Sequence, residues 1–157
     1  MKTQNMSKQN FTVSILVDKT PEEAFKAINN VRGWWTENAM GNSEKEGDVF
    51  SVKFGDVHYS KQQLQEVVAN KKIVWLVTES ELDFIEDKSE WTGSQIVFEI
   101  ERKGDKTEVK FTHVGLEPDV ECFSACSNAW SDYIHCSLKK LIETGKGEPT
   151  RKESSPA

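Results

Sequence analysis

The stretch "DVECFSACSNAWSDYIHCSLKKLIETG", residues 119–145, decides the fold. Apolar residues recur through it at helical spacing: Phe123, Cys126, Trp130, Tyr133, Ile134, Leu138, Leu141 and Ile142. That period places them on one side of a helix running from about Asp119 to Thr144. Pro118 and the acids Asp119 and Glu121 suit its positive end, and Gly145 suits its stop. At about 1.5 Å per residue the helix is roughly 40 Å long. Its apolar stripe needs a second layer to cover it.

The same stretch holds all three cysteines and His135, so it must also be weighed as a metal or redox site. Cys122 and Cys126 stand four apart and are neighbours on a helix, whereas His135 and Cys136 lie more than two turns further on. A structural zinc site needs four ligands with tight paired spacing, which this pattern lacks. Cys126 therefore reads as a small buried hydrophobe, with Cys136 a second candidate for that role, and neither a metal nor a cofactor is expected.

The covering layer is visible upstream. "FTVSILV" (11–17) reads as a strand. "TPEEAFKAI" (20–28) follows, with Thr20 and Glu23 forming a capping box around a proline start. "NNVRGWW" (29–35) suits a second short helix or turn. From residue 47 the period changes to two. Phe50, Val52 and Phe54 share one strand face, Ile96, Phe98 and Ile100 another, and Val109, Phe111 and His113 a third. Residues 57–68 and 73–78 read as further strands. Gly55-Asp56 and Gly104-Asp105 are two-residue hairpin turns, which make neighbouring strands antiparallel. The acidic stretch 79–91 lacks a clear period and reads as a loop or as a lid closed by Leu82, Phe84 and Ile85. The expectation is an α+β domain over residues 10–146, an antiparallel sheet curled around a long C-terminal helix. Loose tails flank it at 1–9 and 147–157.

Composition excludes several function classes. The 157 residues are 36% hydrophobic and 29% charged, with net charge −6. No basic run exceeds a pair, so nucleic acid and anionic membrane surfaces are poor partners. No apolar stretch approaches the ~20 residues that cross a bilayer, and "MKTQNMSKQNF" (1–11) lacks the apolar middle of a signal peptide. The expectation is a cytoplasmic protein with reduced thiols. The chain also lacks a Walker loop, a G-x-S-x-G elbow, an H-E-x-x-H pair and a C-x-x-C pair.

The element order resembles the helix-grip fold of the START-like superfamily, also called SRPBCC. The segments "TPEEAFKAI", "VRGWW", "EWTGSQIVFEI", "TEVKFTHVGL" and "CSNAWSDYIHCSLKKLIETGKGEP" are similar to bacterial homologues of the heat-shock-protein ATPase activator. The resemblance runs from about Phe11 to Pro149. It implies a cavity between sheet and helix that holds an apolar or amphipathic small molecule, of lipid, polyketide or flavonoid type. It implies no common reaction, since the fold hosts carriers, receptors, cyclases and chaperone modulators.

The candidate cavity residues are Trp35, Phe50, Val52, Phe54, Trp75, Phe98, Phe111, His113, Cys126, Trp130 and Tyr133. Trp35, Trp130 and Tyr133 are the ones placed most directly on a pocket wall. Strand parity aims His113 at the helix, where it either finds protein partners or serves as a general base with Tyr133 or Glu90. His58, Ser60 and Gln62 share a face with Leu64, which suggests either an exposed face or the wet end of a cavity unless a bulge intervenes. The leading expectation is a binding module for a small apolar ligand. The alternatives are a chaperone-regulating module and a cyclase- or hydrolase-like enzyme built on His113.

Overall fold

The computed structural model describes residues 10–54, 58–83, 86, 90–116 and 123–149. Seven strands are found among them: β1 (Phe11–Val17), β2 (Ala39–Gly41), β3 (Val49–Phe54), β4 (His58–Val68), β5 (Lys72–Leu82), β6 (Gln95–Lys103) and β7 (Lys106–Val114). They form one antiparallel sheet in the order β1-β7-β6-β5-β4-β3-β2. Helices α1 (Pro21–Asn29) and α2 (Val31–Trp34) follow β1. The C-terminal helix runs as α3 (Phe123–Asp132), a π-helical stretch (Tyr133–Leu138) and α4 (Lys139–Thr144). This is the helix-grip architecture expected from the sequence.

Local chemistry explains the elements. Thr20 Oγ1 accepts from the Glu23 amide at 3.1 Å, and Glu23 Oε1 accepts from the Thr20 amide at 3.0 Å, closing the capping box. Gly104 at φ 65° turns β6 into β7, and Asn70 at φ 64° turns β4 into β5. Alternation puts Ile96, Phe98 and Ile100 of β6 and Val109, Phe111 and His113 of β7 on the buried face.

The helix meets that face with Cys126, Trp130, Ile134, Leu138 and Ile142, all buried and spaced four apart. Four residues overshoot one 3.6-residue turn by about 40°. A strict four-residue stripe would therefore wind off the sheet along a plain α-helix. The wider π turn at Tyr133–Leu138 lags where the α turn leads, and returns Leu138 and Ile142 to the sheet.

Several expectations are corrected. β2 was not anticipated. β5 continues to Leu82, so the first part of the supposed acidic loop is strand, with Leu82 fully buried. Phe84, Ile85, the Gly55-Asp56 turn, the first turn expected of the long helix and the 1–9 tail lie outside the described residues. The second tail, expected from 147, is packed at its start. Ser137 Oγ donates to the Trp34 carbonyl at 2.7 Å and accepts from the Glu148 amide at 2.8 Å. A Cβ on Gly147 would collide with the Gly33 carbonyl oxygen, so only glycine fits that crossing. No helix of the described residues is long and apolar enough to cross a membrane.

Ser137 thus ties helix, α2 and the returning chain together at a site only 2% exposed. Ser137→Ala is expected to lower stability by about 1–3 kcal/mol, because it strands a buried carbonyl and an amide. Urea denaturation measures this; an unchanged midpoint would show that the tail does not dock there.

Candidate functional site

The sheet does not touch the helix evenly. β5 pairs with β6 only from Lys72 to Leu76, but with β4 all the way to Leu82. The far end of the β4–β5 pair therefore projects past β6. A hollow of about 310 Å³ lies at this end. It is lined by Trp35, Phe54, His58 and Trp91, together with Ala125, Cys126, Ala129, Trp130 and Tyr133 of the helix. Ala125 and Ala129, one turn apart and exposed, leave the hollow open to solvent on the helix.

Of the residues assigned to the cavity from sequence, Trp35, Phe54, Cys126, Trp130 and Tyr133 border this hollow. Phe50, Val52, Trp75, Phe98, Phe111 and His113 do not, which corrects their placement. Strand parity turns them inward, and neighbouring rings pack on several of them. Trp35 stacks on Trp75 at 5.7 Å and 16°, and Trp130 covers Phe111 at 4.6 Å. Trp34 packs edge-on against Phe98 at 5.9 Å. The sequence reading overlooked Trp91, Ala125 and Ala129 as site residues. Trp91 sits in an acidic stretch without periodicity, and alanines carry no chemical signal.

His113 is 1% exposed and fully engaged. Trp130 Nε1, which can only donate, gives its proton to His113 Nδ1 at 3.0 Å. The imidazole proton therefore sits on Nε2, which donates to Ser94 Oγ at 2.9 Å. The Ser94 hydroxyl in turn donates to the Trp91 carbonyl at 2.6 Å. Neither ring nitrogen is left for a substrate. Burial, aided by nearby His58, holds the His113 pKa down at about 3, far from that of a general base working near neutrality. The chain of bonds instead pins Trp130 and the Trp91 turn, two walls of the hollow, to β7.

His58 is the histidine at the hollow. Its inward orientation follows from where the sheet bulges. The register shifts skip Thr78 on β5 and Gln65 on β4, so the alternation on β4 runs unbroken from His58 to Leu64. The ring lies edge-to-face with Phe54 at 4.9 Å and Trp91 at 4.8 Å. Its Nε2 is 3.0 Å from Ser60 Oγ, which also accepts from Gln62 Nε2 at 2.6 Å. Burial lowers the His58 pKa to about 4, so it is neutral at physiological pH.

The cysteines also differ from expectation. Cys126 is disulfide-bonded rather than a reduced thiol, and its partner lies outside the described residues. Cys136 is free but exposed, not a buried hydrophobe. Among the described residues no three His, Cys, Asp or Glu side chains group as a metal site.

The buried histidines predict a pH dependence. Each has a folded pKa below the unfolded value of about 6.5, so the unfolded chain binds more protons between the two values. Their contribution to stability is complete above about pH 6.5 and is lost as pH falls towards 3–4, at up to about 1.4 kcal/mol per pH unit for each group. His113→Gln keeps an acceptor near Trp130 and removes one titration. Its stability should fall less steeply than wild type between about pH 6.5 and pH 4; parallel slopes in urea denaturation would contradict the assigned protonation.

Comparison with known proteins fits this geometry. Residues 18–143 match the family model described as "Activator of Hsp90 ATPase homolog 1-like protein". No curated protein matches the chain. Among solved structures, the Aha1 dimer from Colwellia psychrerythraea superposes with TM-score 0.72 at 23% identity, covering 88% of this chain and 99% of that one. A Staphylococcus saprophyticus protein gives TM-score 0.65 at 17% identity, covering 90% and 97%. DynU16, from the dynemicin biosynthetic locus, gives TM-score 0.63 at 15% identity, covering 92% of this chain and 51% of its own. At these identities the structural likeness speaks for the fold, while the family match spans most of the sequence: the chain is a START-like protein of the Hsp90 ATPase activator homolog 1-like family.

Proposed function

We propose that the protein is a binding module for a small, largely apolar molecule held between sheet and C-terminal helix. One observation carries this reading: a hollow of about 310 Å³ is walled by Trp35, Trp91, Trp130, Phe54 and Tyr133, and no charged side chain lines it. Apolar area removed from water stabilises a guest by about 25 cal/mol per Å². The volume lies at the small end of the ~300–1,000 Å³ typical of ligand sites. It suits a compact ring system or a short chain better than a two-chain lipid. The likeness to DynU16, from a locus for dynemicin biosynthesis, supports a small-molecule role. His113 is not proposed as a catalytic group, because both its nitrogens serve the wall.

The family description favours a second reading, regulation of a heat-shock chaperone through the outer surface. Adding the protein to a purified Hsp90-type chaperone and measuring ATP turnover tests it; an unchanged rate removes it. A relative forms a dimer, and this surface reading would extend to a dimer of this chain.

The binding reading is tested with 1-aminoanthracene, whose fluorescence rises in apolar surroundings. Wild type should bind it and melt at a higher temperature, with about 2.7 kcal/mol of added stability at 100 times the dissociation constant. Ala129→Trp, which puts an indole into the hollow, should fold and abolish both effects. Absence of binding, or binding that ignores Ala129→Trp, contradicts the proposal.

A further inference from the structure

We infer that His58 is the polar anchor of the hollow, and that the bound molecule presents to it a hydroxyl on a planar apolar body, a phenol or an enol. This rests on the binding reading above and names the class of guest.

The anchor is built on β4. His58, Ser60 and Gln62 follow one another along the inward face, and Ser60 and Gln62 are wholly buried. Apolar residues would pack there without leaving polar groups to satisfy, whereas buried polar atoms cost free energy unless bonded. The three form a line. Gln62 Nε2 donates to Ser60 Oγ, and Ser60 Oγ meets His58 Nε2. Gln62 Oε1 has no partner among the described residues, so the line does not complete its own bonding. Of the three, only His58 lines the hollow. The line holds the ring through Nε2, with Phe54 and Trp91 clamping it edge-on. Among the described residues nothing bonds Nδ1.

The guest's polar group follows from what Nδ1 can offer. The Ser60 hydroxyl either donates to Nε2 or accepts from it, so Nδ1 is correspondingly a donor or an acceptor. A hydroxyl meets both states, whereas a carbonyl or an ether meets only one. Tyr133 lines the hollow together with the ring, His113 lies on the far side of Trp91, and His58 itself is neutral. No lining charge faces the site to balance an ionic guest, which would be desolvated at a cost. The body is planar because the walls are: Trp91 and Trp130 lie 14° from parallel, and flat rings offer their best contact to flat guests.

The test compares two probes of equal shape, 2-naphthol and 2-methylnaphthalene, by NMR titration. Wild type should bind 2-naphthol about tenfold more tightly. His58→Phe should keep the methyl compound and lose the preference. The ¹⁵N resonance of His58 Nδ1 in wild type should move with 2-naphthol and stay with 2-methylnaphthalene, and this readout decides the matter alone if the variant fails to fold. Equal affinities, a preference that survives His58→Phe, or an unmoved Nδ1 overturns the anchor while leaving the binding site standing. If neither probe binds, the binding reading fails and the anchor falls with it.

Discussion

The hydrogen bond from Trp130 to His113 holds the architecture at its hollow end. It is the one buried side-chain bond, among those described, that runs from the C-terminal helix to the sheet's inner face. Apolar stripes alone dock a helix on a sheet without fixing its rotation, because burial is non-directional. A donor that can only donate, meeting an imidazole whose other nitrogen is already committed, sets one rotation and one depth. Trp130 is then fixed relative to β7, and the Ser94 and Trp91 backbone is fixed to the same histidine.

The hollow follows from that anchor. With Trp130 held against Phe111 and Trp91, its ring cannot swing into the space beside Ala125 and Ala129. β4 and β5 run on beyond β6 at the same end. Large rings stack, Trp35 on Trp75 and Trp91 on Trp130, with the small Ala125 and Ala129 also lining the space. The fold itself commits the chain to no reaction.

Much of this was legible in the residues. The capping box at Thr20, the two-residue period of β3, β6 and β7, and the four-spaced stripe of the last helix specify their elements locally. His113 could be turned inward from the parity of Val109 and Phe111 alone. What it bonds could not, because Trp130 and Ser94 come from distant segments. His58 was ambiguous for a different reason. Its face depends on whether a bulge lies between it and Leu64, and bulges are set by pairing with β5 rather than by β4. The π turn is signalled only indirectly, by a stripe too regular for a 3.6-residue helix. The cavity wall was overestimated because parity says which side a strand residue faces, not whether a tryptophan from α2 covers it. The disulfide at Cys126 ran against an expectation drawn from composition and compartment rather than from geometry.

The apolar hollow lined by Trp35, Phe54, Trp91 and Trp130 is left unfilled by the chain's own side chains. A crystal of the protein pressurised with xenon tests this most directly, since xenon enters dry apolar cavities and marks them with strong density. A xenon atom is expected beside Ala129, within contact of the Trp130 and Trp91 rings. Xenon absent from that position, with side chains or ordered water filling the space, would contradict it.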